Sequence, residues 1–104
     1  MVVVSRAWAE EHGANILATI GSAGQVAGPD NSLHSQPARA ITEALERSGM
    51  ESSELDVVEI NEAFASVSVQ SHKELGLAPG TANAWGGACL LYTSLSGLAR
   101  QTDS

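Results

Sequence analysis

The sequence predicts an α/β layered domain, and three observations support this fold class. Short runs of β-branched and other apolar residues, such as 2–4 and 56–60, are typical of buried strands. Other segments repeat their apolar residues every three or four positions, as helices do. The two kinds of segment alternate along the 104 residues, which indicates helices packed on a sheet.

Three strands and three helices follow from these patterns. The predicted strands cover 2–4, 16–20 and 56–60, with a further short strand near 82–85. The predicted helices cover 6–12, 37–47 and 62–75. Residue types at the helix ends support these bounds, because Ser5 and Asn61 are preferred N-caps and Gly13 and Gly76 suit a left-handed C-terminal residue.

The charge balance argues against a nucleic-acid partner or an anionic membrane surface. Twelve acidic residues face five basic ones, so the formal net charge is −7. Nucleic-acid binding needs a basic face, and anionic membranes attract clustered cations. The basic residues are instead scattered along the chain, at Arg6, Arg39, Arg47, Lys73 and Arg100.

The remaining composition is that of an ordinary globular domain. No apolar run approaches the ~20 residues of a transmembrane helix. The single cysteine, Cys89, cannot form an internal disulfide, and the first residues lack the pattern of a signal peptide. A cytoplasmic location is therefore expected.

Asn61 is the main candidate for chemistry, because it lies where a predicted strand passes into a predicted helix. Ligands of open α/β sheets bind beyond the carboxyl ends of strands, where helix N-termini offer free N–H groups. An amide side chain there can hold a water or donate toward a developing oxyanion. On spacing alone, however, a purely structural N-cap explains this asparagine better.

The neighbouring candidates also have structural explanations. Glu62 complements the dipole in the first helical turn, and a general-base role has weaker support. Phe64 falls on the apolar side of the predicted helix, where core packing competes with ligand contact. Gly86 and Gly87 would let a backbone approach a ligand closely, but a plain turn is the simpler explanation.

No metal site is predicted, since the spacing of His12, His34 and His72 matches no metal motif. Only His34, in a predicted loop, lacks a structural explanation from its position. Cys89 lacks a local base, cation or helix N-terminus that would favour its thiolate, so it is expected to be structural.

Several segments resemble the thiolase family. The run at 55–65, Leu-Asp-Val-Val-Glu-Ile-Asn-Glu-Ala-Phe-Ala, resembles the Asn-Glu-Ala-Phe block of acetyl-CoA acetyltransferases and 3-ketoacyl-CoA thiolases. The other similar segments lie in family order: the connection between the two thiolase halves at 1–12, the Gly-Pro loop at 26–29, the helix start at 35–38 and the Asn-x-x-Gly-Gly-Ala stretch at 83–88.

The resemblance implies a thiolase-like layered domain, a mixed sheet with helices, that is incomplete here. Thiolases make or break a carbon–carbon bond next to a coenzyme A thioester, which is a substrate, so no cofactor or metal is implied. The family's block asparagine holds a water of the oxyanion hole, which assigns that role to Asn61, with Phe64 against the pantetheine channel. The parent enzyme is expected to be a homodimer or homotetramer.

The family pattern stops after Ala88. Thiolases use a nucleophilic cysteine, a Gly-His-Pro histidine and a second cysteine, and Cys89 matches neither cysteine. No Gly-His-Pro or Cys-Gly-Gly-Gly segment is present. We therefore expect a C-terminal-half fragment without activity of its own. Its expected parts are the end of the N-terminal-half strand with the connecting helix at 1–13, the C-terminal-domain segment at 14–88 and a divergent, non-native tail at 89–104.

Two other interpretations remain open at this point. A non-catalytic binding or interaction module would keep the thiolase fold alone and would behave as a soluble monomer. An unrelated doubly-wound domain would carry the Asn-Glu-Ala-Phe run by chance, without a strand-to-helix junction at Asn61.

Overall fold

The computed structural model describes residues 1–87. Its three α-helices are α1 (Arg6–Glu11), α2 (Gln36–Ser48) and α3 (Ala65–Leu75). Two short 3₁₀ turns, Leu33–Ser35 and Ser52–Glu54, precede and follow α2. α2 packs against α3, and both contact the first 3₁₀ turn. Across residues 1–87, no helix is long and apolar enough to cross a membrane.

The helix ends confirm most of the predicted caps. The Ser5 hydroxyl accepts a hydrogen bond from the Trp8 N–H (3.2 Å) at the start of α1. Gly13 beyond α1, Gly49 after α2 and Gly76 after α3 all have positive φ, as left-handed terminal residues do. These ends depend on residues within one turn of the boundary, which is why the sequence predicts them well.

The predicted N-cap of the third helix was wrong. α3 begins at Ala65, and Phe64 takes the N-cap position without a side-chain hydrogen bond. Asn61 lies further upstream, in a stretch outside any helix. A local cap preference of about 1 kcal/mol does not decide the helix start here. The Asn83 side chain instead binds Ile60 and Glu62, on both sides of Asn61.

The predicted strands are only partly realised. Among residues 1–87 the single bridge pairs Val58 with Ala82 in parallel, and 2–4 and 16–20 form no ladder. A strand depends on hydrogen bonds to a neighbour, which local sequence cannot supply. The predicted strand at 82–85 shortens to the bridge at Ala82, because the chain turns immediately afterwards.

The core is small and lies beside the Asn61 segment. Val58, Ile60, Val67 and Ala82 are buried together, and partly buried apolar residues pack around them: Ile41, Leu55 and Leu77. The 58–60 segment thus joins α3 and the 82–87 turn through shared apolar burial. Ile60 is therefore held in the core immediately before Asn61.

A carboxylate links the first 3₁₀ turn to α3. The Ser35 hydroxyl (2.6 Å) and the Gln70 amide (2.7 Å) both donate to the same oxygen of Glu74. The Ser35 bond is the main cause, and the Gln70 bond the second, that hold the pKa of Glu74 below its ordinary value. The bonded carboxylate therefore stabilises the fold in its ionised form.

We expect Glu74→Gln to reduce the acid sensitivity of the fold. A carboxylate with a lowered folded-state pKa stabilises the fold above its unfolded pKa, about 4.3 for glutamate, and this contribution disappears as pH falls through the folded value. The parent should lose stability more steeply than the variant below about pH 4.3. Urea midpoints measured across this range test it, with Glu46→Gln, an exposed carboxylate of α2, as control. Parallel curves for parent and Glu74→Gln would contradict the expectation.

Candidate active site

A cleft of about 380 Å³ lies in front of Asn61. One wall is the backbone of 24–26, the second is the start of α2 with its 3₁₀ turn, and the third is the segment that leads into α3. Its lining residues are Gly24, Gln25, Val26, Leu33, Gln36, Pro37, Ala40, Asn61, Ala63 and Val67.

Asn61 combines a fixed backbone neighbour with an accessible side chain. The residue is exposed and lines the cleft, whereas Ile60 beside it is only 5% exposed. The predicted strand-to-helix passage therefore exists, with Asn61 on the extended side of it rather than at the cap. An amide placed in this way can donate to a ligand or hold a water at the cleft.

Asn83 is a residue of the site to which the sequence analysis gave no role of its own, naming it only within the segment 83–88. Its side-chain oxygen accepts from the Ile60 N–H (2.9 Å), and its side-chain nitrogen donates to the Ile60 C=O and to the Glu62 carboxylate (2.8 Å each). These bonds cross 21 to 23 positions of sequence. The available signal was an asparagine three positions before a Gly-Gly pair, since asparagine tolerates the left-handed region.

One face of α2 holds the segment 23–28, of which residues 24–26 form the first wall of the cleft. Glu43 accepts from the Gln25 N–H (2.7 Å), and Arg47 donates to the Ala23 C=O (2.8 Å). Further along, Arg39 (2.9 Å) and Gln36 (3.3 Å) both donate to the Gly28 C=O. The four side chains recur at three- or four-residue spacing, so a single helix face binds an otherwise irregular segment.

The start of the loop after this wall carries an ion pair. Arg39 lies 3.5 Å from Asp30, and the Ser32 N–H donates to the same aspartate at 2.8 Å. The Ser32 bond is the main cause that holds the pKa of Asp30 below its ordinary value, with Arg39 second. Asp30 is therefore ionised and attached to α2 at neutral pH.

Gly24 makes the closest backbone approach in the cleft wall. A Cβ built on it would lie 1.8 Å from the Ala40 carbonyl oxygen and 3.0 Å from the Ala44 nitrogen. Those atoms are the acceptor and donor of one helical turn of α2. No side chain fits at this position without a shift of backbone.

The other predicted residues are separated by the structure. Phe64 is 62% exposed and precedes α3 in an extended conformation, so its predicted place on the apolar side of the helix was wrong. Glu62 is half-buried and bound by Asn83. Gly86 follows a turn that its N–H closes onto the Asn83 C=O (2.9 Å), and Gly87 comes after it. Cys89 lies outside the described residues.

None of the three histidines lines the cleft at Asn61. His12 stacks on Trp8, and its Nδ1 is 2.9 Å from the Trp8 C=O, at the end of α1. His72 is half-buried on α3, with Nδ1 2.9 Å from the Ser68 C=O. His34 is exposed in the 3₁₀ turn before α2 and does not line the cleft.

Comparison with known families decides the membership of the chain. Residues 14–96 match the family model described as "Thiolase, C-terminal domain". The chain belongs to the thiolase family. The thiolase resemblance expected from the sequence is thereby confirmed.

Relatives and solved structures agree with this family. A probable acetyl-CoA acetyltransferase of Mycolicibacterium smegmatis is 53% identical over 88 residues, which are 85% of this chain and 23% of that protein. The peroxisomal 3-ketoacyl-CoA thiolase of Saccharomyces cerevisiae, a five-layered α-β-α-β-α structure, superposes with a TM-score of 0.75 at 31% identity. That match covers 93% of this chain and 28% of the yeast chain. The predicted thiolase-like α/β layered fold is confirmed, as is its partial extent: the chain spans roughly a quarter of its relatives' length.

A second yeast structure supports the same conclusion. The dimeric peroxisomal thiolase of S. cerevisiae superposes with a TM-score of 0.74 at 31% identity, over 93% of this chain and 25% of that one. The interpretation as an unrelated doubly-wound domain is therefore wrong. The division at 13 and 88 and the roles of single site residues stay predictions.

Proposed function

We propose that this chain supplies the oxyanion side of a thiolase active site, in an acyltransferase that acts on acetyl-CoA or longer 3-ketoacyl-CoA thioesters. The observation that carries the proposal is the exposed Asn61 amide at a cleft, directly after a buried residue that is held by Asn83. A flexible asparagine would need to be ordered during the reaction, whereas a fixed one is already in place.

The chemistry follows from the amide group. Its nitrogen carries two hydrogens and its oxygen accepts, so Asn61 can hold a water that donates to a thioester oxygen as negative charge develops there. The lining also has an apolar part, Val26, Leu33, Pro37, Ala40 and Val67, which would strengthen such a bond once a bound substrate excludes water from the cleft. The coenzyme A thioester is the substrate, and no cofactor enters this scheme.

Phe64 is proposed to contact the pantetheine arm. Its ring is mostly exposed and follows the cleft residue Ala63 in sequence. An exposed aromatic ring beside a cleft offers apolar surface to a long, partly apolar ligand. Glu62 has no part in this scheme beyond its bond to Asn83.

The nucleophile and the proton-transfer groups must come from residues other than those of this cleft. We expect the 104-residue polypeptide alone to show no thiolysis of acetoacetyl-CoA. Loss of such groups typically lowers turnover by several orders of magnitude. Turnover that disappears in Asn61→Ala would instead mean that the chain contains its own nucleophile, and Cys89 and His34 would then be tested.

A grafted thiolase tests the positive half of the proposal. Here the aligned 88 residues of the M. smegmatis relative are replaced by those of this chain. We expect this protein to fold and to catalyse thiolysis of acetoacetyl-CoA, followed by loss of substrate absorbance, with the unaltered relative as reference. A folded but inactive graft would contradict the proposal and favour a non-catalytic thiolase-fold module.

Three broader features belong to the same proposal. A homodimer or homotetramer is supported by the dimeric yeast thiolase, and a place in fatty acid metabolism by the 3-ketoacyl-CoA thiolases among the relatives. A cytoplasmic location is supported by the bacterial relatives.

A further inference from the structure

We infer that Asn83 is a positioning residue for Asn61, an inference that rests on the proposed function. One side chain binds the residues on both sides of Asn61. It holds the N–H (2.9 Å) and C=O (2.8 Å) of Ile60 before it and the carboxylate of Glu62 (2.8 Å) after it. Asn61 itself stays free to face the cleft.

These bonds of the Asn83 side chain to Ile60 and Glu62, called the clamp from here on, are themselves anchored in the core. The Asn83 N–H donates to the Val58 C=O (2.9 Å), and its neighbour Ala82 pairs with the same residue. On the other side, its C=O accepts from the Gly86 N–H (2.9 Å). The Asn83 backbone is thus fixed on both sides before its side chain reaches Ile60.

Asparagine is the residue type that satisfies this position. Its φ is +55°, and Asn83 is the non-glycine residue with positive φ among residues 1–87. Asparagine enters this region at low cost and has one acceptor and two donor hydrogens on a short side chain. Glycine would tolerate the positive φ but would lose every side-chain hydrogen bond. Aspartate would lose the N–H donors that bind the Ile60 C=O and the Glu62 carboxylate.

The clamp also holds the stretch that leads into α3. Asn83 binds both polar backbone groups of Ile60 and the carboxylate of Glu62, and α3 begins only at Ala65. Without the clamp, 61–64 would be free to change conformation and Asn61 would leave its place at the cleft. A displacement of about 1 Å in a catalytic constellation can cost about 100-fold in rate.

The test uses the grafted thiolase with variants at two positions. Asn83→Gly, which suits the positive φ, should lower kcat up to about 100-fold with KM little changed. Asn83→Asp should do the same, because it places a second carboxylate against Glu62. In the double variant Asn83→Asp/Glu62→Gln, an amide donor again faces an acceptor, and part of the lost kcat should return. Asn31→Gly, at an exposed asparagine that does not line the cleft, is the matched control.

Each outcome has a separate meaning. If the Asn83 variants keep kcat while Asn61→Ala lowers it, the positioning role is wrong and the proposed function stands. If Asn61→Ala keeps kcat, the proposed function fails and takes this inference with it. Should Asn83→Gly not fold, the pair of aspartate variants decides, since equal kcat with and without Glu62→Gln would overturn the clamp.

Discussion

Replacing Asn61 by alanine in the grafted thiolase is expected to lower kcat roughly 100- to 1,000-fold, as loss of one oxyanion donor does elsewhere. The amide is exposed at the cleft, so its removal takes away a donor without opening the core. KM should change little, because the bond strengthens as charge develops on the thioester oxygen. Steady-state kinetics with acetoacetyl-CoA and free coenzyme A measure both constants.

Two controls separate chemistry from folding in this experiment. Asn31→Ala removes an exposed amide of the same size that does not line the cleft, and it should leave kcat unchanged. Thermal unfolding of Asn61→Ala should match the parent closely, since Asn61 does not cap α3. A large fall in stability together with kcat would return Asn61 to a structural role and contradict the oxyanion assignment.

The parts of the fold that were predictable depend on short-range chemistry. Ser5 caps α1, Gly13 and Gly76 follow the ends of their helices with positive φ, and Asn61 lies between a buried residue and a helix. Each of these features is set by residues within a turn of the boundary, where cap preferences of ~1 kcal/mol suffice. The resemblance of 55–65 to the Asn-Glu-Ala-Phe block reflects the same local pattern.

The errors came where distant residues decide. The helix begins at Ala65 and not directly after Asn61, in a stretch whose Ile60 and Glu62 are bound by Asn83, more than twenty positions away. The runs at 2–4 and 16–20 have strand composition, yet no ladder forms among the described residues. Their side chains are largely exposed, with Leu17 at 90%. Composition predicts which segments can pair, and pairing itself needs a partner.

Replacing Gly24 by alanine is expected to destabilise the grafted thiolase by about 3 kcal/mol, the upper end of the usual cost of overpacking. The added Cβ would meet the Ala40 carbonyl at 1.8 Å and the Ala44 nitrogen at 3.0 Å, which is backbone rather than a movable side chain. The backbone around Gly24 cannot move away from α2 easily either. Bonds from Gln25 to Glu43 and from Arg47 to Ala23 attach it to α2 on both sides of Gly24.

Gly21→Ala is the matched control for this change. Gly21 lies three residues earlier in the same irregular segment, and no atom lies within 4 Å of the corresponding Cβ. Its φ is outside the left-handed region, so alanine there should be neutral or stabilise by up to about 1 kcal/mol. Denaturant midpoints of the two variants measure the difference. Gly24 also lines the cleft, so its variant should raise KM as well. Equal stability of the two variants would contradict the expectation, because it would mean that α2 and the segment 23–28 can separate at little cost.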